Sequence, residues 1–266
     1  MDIAEKHRVC VDALRDFAEE TSATDVVIGL SGGIDSSLVA CLCCDVFGSE
    51  HVHGVLMPGP YSTSHSLIDA QELARALGIE TQQISINEPF QAFGRILSEH
   101  MGGFGGVAAE NTQARCRMII LMAISNMTGW LVVNTGNRSE AMMGYSTLYG
   151  DTVGAFAPIG GLYKTDVFAA SRFVNEQAEA SGLAAPIPEN VLIKPPSAEL
   201  APDQRDEDAL GAYETLMLIE HIEHGVDREG LVERGFVPTE VDRMLARVKA
   251  NAFKREMEPP CPRIPY

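Results

Sequence analysis

The stretch Asp25-Val26-Val27-Ile28-Gly29-Leu30-Ser31-Gly32-Gly33-Ile34-Asp35-Ser36-Ser37 decides how this chain folds. Its first half is a short β-branched run without polar alternation, the pattern of a strand buried on both faces of a parallel sheet. Two successive glycines follow, which let backbone approach an anion closely and take positive φ without a Cβ penalty. From Ser36 to Phe47 the residues read as a helix. A helix start behind such a loop offers unpaired N–H groups and the positive end of its dipole. Ser31, Ser36 and Ser37 add hydroxyl donors. Asp35 cannot donate to a phosphate, so its natural role is to hold Mg²⁺ against a pyrophosphate. The competing reading is an ordinary tight turn capped by serine and aspartate. No Gly-x-x-x-x-Gly-Lys-Ser/Thr exists anywhere in the chain, so the other common phosphate loop is excluded.

The same alternation recurs outward from this loop. Val9, Ala13, Leu14 and Phe17 give residues 4–20 an amphipathic helix. Residues 53–57 read as a second strand, 64–77 as a helix, 81–86 as a third strand, 111–127 as a long helix and 131–135 as a fourth strand. Strands alternating with helices imply an α/β fold, a doubly wound parallel sheet of Rossmann-like architecture. Such sheets bind ligands at the carboxyl ends of their strands. Beyond about residue 165 the strand signal fades. Residues 165–180, 206–224 and 238–253 read as helices joined by Pro-rich links, a helical C-terminal section packed on the sheet. The expectation is a single domain over residues 1–266.

At 266 residues with 45% apolar content, the chain can bury a sizeable core. No apolar run approaches the roughly 20 residues of a membrane helix, and Met1-Asp2-Ile3-Ala4-Glu5-Lys6 has no signal pattern. A cytoplasmic location without membrane association is therefore expected, and six cysteines are read as reduced thiols. A net charge of −17 repels nucleic acid. A small anion can still be held locally by backbone N–H groups, lysines and magnesium.

The loop resembles the SGGxDS loop of the N-type ATP pyrophosphatases, which cleave ATP between its α and β phosphates and share the adenine nucleotide alpha hydrolase-like fold. Further segments narrow the resemblance. Glu110-Asn111-Thr112-Gln113-Ala114-Arg115 is similar to an ENxQAR segment, Thr135-Gly136-Asn137-Arg138-Ser139-Glu140 to a TGNxSE turn, and Gly144 to Asp151 to a GYxTLYGD stretch. With Leu162-Tyr163-Lys164-Thr165 and Lys194-Pro195-Pro196-Ser197-Ala198-Glu199-Leu200, these resemble the NAD synthetase family in the right order over residues 25 to 260. The tail Asn251-Ala252-Phe253-Lys254-Arg255 and the stretch Met57-Pro58-Gly59-Pro60-Tyr61-Ser62 look like the glutamine-dependent subgroup. Only one helix precedes the first strand, which leaves no room for the glutaminase domain of those relatives. The resemblance thus implies a synthetase that takes free ammonia, or ammonia from a separate glutaminase.

The activity implied is amidation of the nicotinate carboxylate of deamido-NAD through an acyl-adenylate, with ATP and Mg²⁺. On this resemblance Gly29, Leu30, Ser31, Gly32, Gly33, Ile34, Asp35 and Ser36 hold the phosphates. Leu56 and Met57 receive the adenine, and Thr135, Lys164 and Ser197 fall at ATP-contacting positions. Asp35 and Glu140 are candidate magnesium ligands, with a dinucleotide contact as the other role for Glu140. Arg115 and Lys254 match substrate-contacting positions, and Asp151 is a candidate for ammonium capture or substrate orientation. Capping is the plain alternative for Glu140 and Asp151, and a surface ion pair for Arg115. The family forms homodimers, so a homodimer is implied.

Ala155 and Phe253 stand where the ammonia-dependent subgroup has an aspartate and a histidine. They keep open amidation of nicotinate mononucleotide or another carboxylate. A non-catalytic nucleotide-binding regulator is the alternative from another class, opposed by the intact loop, Glu140 and Lys164. Cys41, Cys43 and Cys44 with His51 and His53 read as buried thiols rather than a metal site, and Met118, Met122 and Met127 as core. The glycines between 102 and 106 read as a mobile loop that closes over substrate or reaches a partner subunit.

Overall fold

A computed structural model of the chain describes residues 1–202, 204 and 216–266. Four parallel strands, β1 (Val26–Gly29), β2 (Val52–Leu56), β3 (Glu80–Gln83) and β4 (Leu131–Val132), form one sheet in the order β3-β2-β1-β4. Val26 is in register with Val52 on one side and with Leu131 on the other. The chain steps outward from β1 to β3, then crosses back to place β4 beyond β1. Its direction switches between β1 and β4, where the carboxyl ends of the strands diverge into a crevice. Past β4, Val133 bridges to Phe156, and the Ala155 N–H donates to the Val132 carbonyl at 2.8 Å. The segment carrying Ala155 thereby runs along the sheet edge.

The helices in chain order are α1 (Ile3–Thr21), α2 (Ile34–Phe47), α3 (Ser64–Leu77), α4 (Asn87–Met101), α5 (Val107–Thr128) and α6 (Arg138–Met143). They continue with α7 (Lys164–Ala180), α8 (Glu189–Ile193), α9 (Leu216–Glu223), α10 (Arg228–Glu233), α11 (Pro238–Ala250) and α12 (Ala252–Arg255). Alternate residues of β1 serve opposite cores, as a strand buried on both faces requires. Val26 and Ile28 pack with Leu14, Leu38, Leu73 and Val167, so α1, α2, α3 and α7 cover one face. Val27 packs with Val55, Met57, Leu121 and Val132 beneath α5 on the other.

The expected α/β doubly wound sheet is present, with all four strands. The third is shorter than expected, ending at Gln83, because its exposed polar residues form the sheet edge. Helix α4, of 15 residues, was not read from the sequence, and the short helices α6, α8 and α10 gave no periodicity long enough to read. The helix expected over residues 238–253 breaks at Asn251. Of the helix expected over 206–224, residues 206–215 lie outside the described residues.

Packing of the C-terminal section on the sheet holds for α7, through Val167, Phe168 and Ala170. α8 joins it there through Val191 and Leu192, whereas the helices from α9 onward enclose a satellite core of Met142, Met143, Tyr163, Leu218, Leu231, Val241 and Met244. Met142 and Met143 of α6 present a second apolar surface, and α9 and α11 close on it. Met118 is buried, but Met122 is 37% and Met127 84% exposed, so the core reading fails for those two. They lie on the side of α5 turned away from the sheet. Cys41 and Cys43 are buried in α2, where burial raises their pKa values well above the ordinary thiol range.

Candidate active site

A cavity of about 370 Å³ opens at the carboxyl ends of β1, β2 and β4, within the size range of small-molecule sites. Gly29, Leu30, Ser31, Gly33, Ile34, Asp35 and Ser36 line one side. Gly32 lies behind them with φ +76°, and a Cβ there would stand 2.0 Å from the Ser66 carbonyl oxygen. Only glycine lets the loop lie this close to the start of α3. The loop is braced from within. Ser31 Oγ accepts from the Gly33 N–H at 3.1 Å and lies 3.0 Å from Ser36 Oγ. Ser36 and Ser37 hydroxyls both donate to the Gly33 carbonyl, at 3.1 and 2.8 Å. Ser37 is fully buried, so its hydroxyl is a brace and not the ligand donor that the sequence suggested. No side chain caps the N-terminus of α2 at Gly33, which lines the cavity together with Ile34, Asp35 and Ser36 of the first turn.

Asp35 is held on both of its carboxylate oxygens. Lys164 Nζ donates to its Oδ2 at 2.5 Å, and Asn137 Nδ2 to its Oδ1 at 2.8 Å. Lys164 is 2% exposed and does not line the cavity, reaching Asp35 from the first turn of α7. Its backbone N–H donates to Ser139 Oγ, which ties α7 to α6. Asn137 is also the N-cap of α6 in a complete capping box: its Oδ1 accepts from the Glu140 N–H, and Glu140 Oε2 accepts from the Asn137 N–H. These bonds fix which way the Asn137 amide points. Glu140 therefore caps a helix and lines the cavity at once. Asp35 and Glu140 meet through Asn137, two carboxylates at one wall of the cavity.

Thr135 and Ser197 line the cavity, as does Met57, whereas Leu56 points into the opposite core. Ser197 belongs to a segment that closes the cavity from above and is latched by Glu199. The Glu199 carboxylate accepts from the Thr63 N–H at 3.0 Å and from the Thr63 and Ser66 hydroxyls at 2.9 and 2.7 Å. It occupies the N-terminus of α3, where the helix dipole favours an anion, and holds a backbone φ of +50°.

Asp151 lies at the far side. Its Oδ1 accepts from the Thr147 N–H at 2.6 Å, and its carbonyl accepts from Asn134 Nδ2 at 2.7 Å. Solvent reaches its carboxyl through the cavity, but protein encloses the group on its other sides. That enclosure pushes the carboxyl up to about 6, against the pull of the Thr147 N–H, Lys254, Arg117 and Arg115. Glu258, from the tail, also faces the cavity, and burial raises it too. Lys254 does not line the cavity; its Nζ clamps the carbonyls of Gly144 and Ser146 at 2.8 and 2.6 Å. Arg115 is exposed and donates to the Leu148 carbonyl at 3.2 Å. Both hold the turn that carries Asp151.

Residues 6–258 match the NAD synthase family. This chain belongs to that family. It is 44% identical over 258 residues to a glutamine-dependent NAD(+) synthetase of Thermotoga maritima, covering 95% of this chain and 44% of the relative. The chain thus spans less than half the length of that curated relative. Among solved structures it is similar to an NMN synthetase from Francisella tularensis, with TM-score 0.79, 29% identity and 96% coverage of both chains. It is also similar to an NH3-dependent NAD synthetase from Campylobacter jejuni in complex with the nitrate ion, with TM-score 0.74, 31% identity and 96% coverage of both.

Against the NAD synthase motifs, sequence reasoning missed four residues that shape the site. Asn137 sits inside the TGNxSE turn, and its Asn-x-x-Glu spacing is a capping-box signal legible in sequence. Glu199 closes the Lys194-to-Leu200 match, though nothing in that segment announces its partner on α3. Arg117 lies two residues beyond Arg115 and donates Nε to the Met57 carbonyl at 3.1 Å. Glu258 enters by the tail, held near the sheet edge by the Ala157 N–H donating to the Pro260 carbonyl at 2.9 Å.

Proposed function

We propose that this chain catalyses ATP-dependent amidation of deamido-NAD to NAD, releasing AMP and pyrophosphate. The observation that carries the reading is the Asp35–Lys164–Asn137 junction beside the uncapped start of α2. It supports the reading because N–H groups without a side-chain cap and a held carboxylate stand together at one end of the cavity. A carboxylate resists attack by ammonia because oxide is a very poor leaving group. Attack of the carboxylate oxygen on the α-phosphorus of ATP expels pyrophosphate and gives an acyl-adenylate. Ammonia then adds to the acyl carbon and AMP leaves. The protein's share is positioning and charge neutralisation: the loop N–H groups receive the phosphates, and Met57 closes the adenine end. Above its raised pKa, Asp151 can hold an ammonium ion or accept its proton.

Mg²⁺ fits the donor set. Among the described residues no group of three His, Cys, Asp or Glu converges. Two carboxylates on one wall, completed by phosphate oxygens and water, are the pattern Mg²⁺ prefers. Asp35 and Glu140 would hold it, and it would supply charge neutralisation at the phosphates.

The likeness to an NMN synthetase over 96% of both chains, together with Ala155 and Phe253, favours nicotinate mononucleotide as the second reading. Incubation with ATP, Mg²⁺ and each acid, with ammonium or glutamine supplied separately, tests both. NAD and AMP in equal amounts from deamido-NAD and ammonium are expected. AMP with nicotinate mononucleotide alone would replace the substrate and keep the mechanism. Turnover with ammonium and none with glutamine supports ammonia as the direct donor, free or delivered by a separate glutaminase. A homodimer is also proposed, on exposed Phe93, Ile96 and Met101 of α4 and Ile119, Met122 and Met127 of α5. No helix among the described residues is long and apolar enough to cross a membrane, and buried thiols suit a reducing, cytoplasmic setting.

A further inference from the structure

Two carboxylates grip the same pair of chain segments, one at the cavity and one away from it. At the cavity, Asn137 and Lys164 converge on Asp35. Away from it, the residue after Asn137 and the residue before Lys164 converge on Glu223. Arg138 Nε donates to the two Glu223 oxygens at 2.9 and 3.0 Å, and its Nη2 donates to Oε1 as well. The Tyr163 hydroxyl donates to Glu223 Oε2 at 2.6 Å. Two further bonds join the segments: the Arg138 N–H donates to the Leu162 carbonyl at 2.8 Å, and the Lys164 N–H to Ser139 Oγ at 3.0 Å. Glu223 is the last residue of α9, whose Leu218 and Ile219 belong to the satellite core, and it does not line the cavity. Burial raises its carboxyl, but the hydrogen bonds from Arg138 and Tyr163 outweigh that and hold it below the ordinary range.

The capping box fixes Asn137 relative to α6, and Lys164 belongs to the first turn of α7. Their convergence on one carboxylate therefore depends on how α6 and α7 are set against each other. A lysine ammonium on a four-carbon stem does not impose that setting. A guanidinium bound to both oxygens of a carboxylate does, because the paired bonds fix direction as well as distance. We propose that Glu223 is a positioning residue: by drawing Arg138 and Tyr163 together it sets the spacing of Asn137 and Lys164, and with it the placement of Asp35. The satellite core thereby reaches the site through one side chain. The kinetic consequence rests on the AMP-forming reading of the cavity, whereas the geometric one does not. A purely structural role, in which Glu223 only pins α9 in place, makes a different prediction.

The test compares Glu223→Gln, which keeps the shape and removes the charge, with Val241→Ala in the purified full chain. Val241 is buried in the same satellite core on α11 and makes none of the bonds of the clamp. Two quantities are read: kcat and KM for AMP formation, and the rate at which acetic anhydride acetylates Lys164 in the folded protein, followed by peptide mass. In Glu223→Gln kcat is expected to fall about tenfold or more, as a small misplacement at the reacting centre implies. The KM for deamido-NAD should change little, and Lys164 acetylation should speed up several-fold. Val241→Ala is expected to lower the melting temperature while leaving kcat and acetylation near wild type. Acetylation of Lys164 no faster in Glu223→Gln than in Val241→Ala would overturn the inference, and so would an equal loss of kcat in the two. Tyr163→Phe removes one arm of the clamp and carries the same comparison if Glu223→Gln does not fold. Absence of AMP formation by wild type with any acid would instead strike the proposed function, and leaves the acetylation rates to judge Glu223 alone.

Discussion

Lys164 Nζ and Asp35 Oδ2 lie 2.5 Å apart although 129 residues separate them. The pair fastens the loop after β1 to the start of α7, and Lys164 is nearly inaccessible. Removing one partner strands a buried charge, whereas removing both does not. Asp35→Asn and Lys164→Met are each expected to lose about 3 kcal/mol of unfolding free energy, and the double variant clearly less than the sum. A denaturant-unfolding cycle measures this. Strict additivity would mean that the two residues do not act as a unit. Both single variants are expected to lose AMP formation even where they remain folded.

Glu199 latches the Lys194-to-Leu200 segment on the N-terminus of α3. Glu199→Gln removes the charge and keeps the shape. The Michaelis constant for ATP is expected to rise several-fold, and amide exchange at residues 197–200 to speed up, with little change in melting temperature. Unchanged exchange in that segment would show that the latch does not hold it.

Asp151 gives the site a pH signature. Its carboxyl titrates near 6, so it is ionised above that value and neutral below. The rate of NAD formation is expected to fall as pH drops through about 6, and Asp151→Asn to be slow with that limb absent. Stability runs the other way. A raised carboxyl pKa means that the folded chain binds the proton more readily than the unfolded chain. Its ionisation therefore costs stability above about 6, a cost relieved as pH falls towards the ordinary carboxylate range. Melting of wild type and Asp151→Asn should converge in that window. A rate limb that persists in Asp151→Asn would assign it to another group.

The α/β sheet was legible because each strand near the site is a short apolar run, and because α2, α3 and α5 are long enough to stand out between the strands. Gly32 was legible as a glycine that must be one, though its neighbour Ser66 was not. Pairings across the chain were the hidden part. Nothing local to Lys164 shows that Asp35, and not a phosphate, is its partner here, and nothing local to Lys254 shows that it clamps two backbone carbonyls. Leu56 and Met57 read as equivalent neighbours, yet strand alternation sends one into the core and the other into the cavity. Met122 and Met127 fell on the outer face of α5, because a helix of 22 residues whose buried side is supplied by Ala114, Met118 and Leu121 leaves the opposite side uncovered.

Activation of the acid on the α-phosphorus of ATP leaves one carboxylate oxygen in AMP, so an oxygen label follows it. Deamido-NAD carrying ¹⁸O in the nicotinate carboxylate would be turned over with ATP, Mg²⁺ and ammonium, and the products analysed by mass. One labelled oxygen should appear in AMP for each NAD formed, with none in pyrophosphate. Label in orthophosphate with ADP as the nucleotide product, or AMP without label, would contradict the acyl-adenylate route.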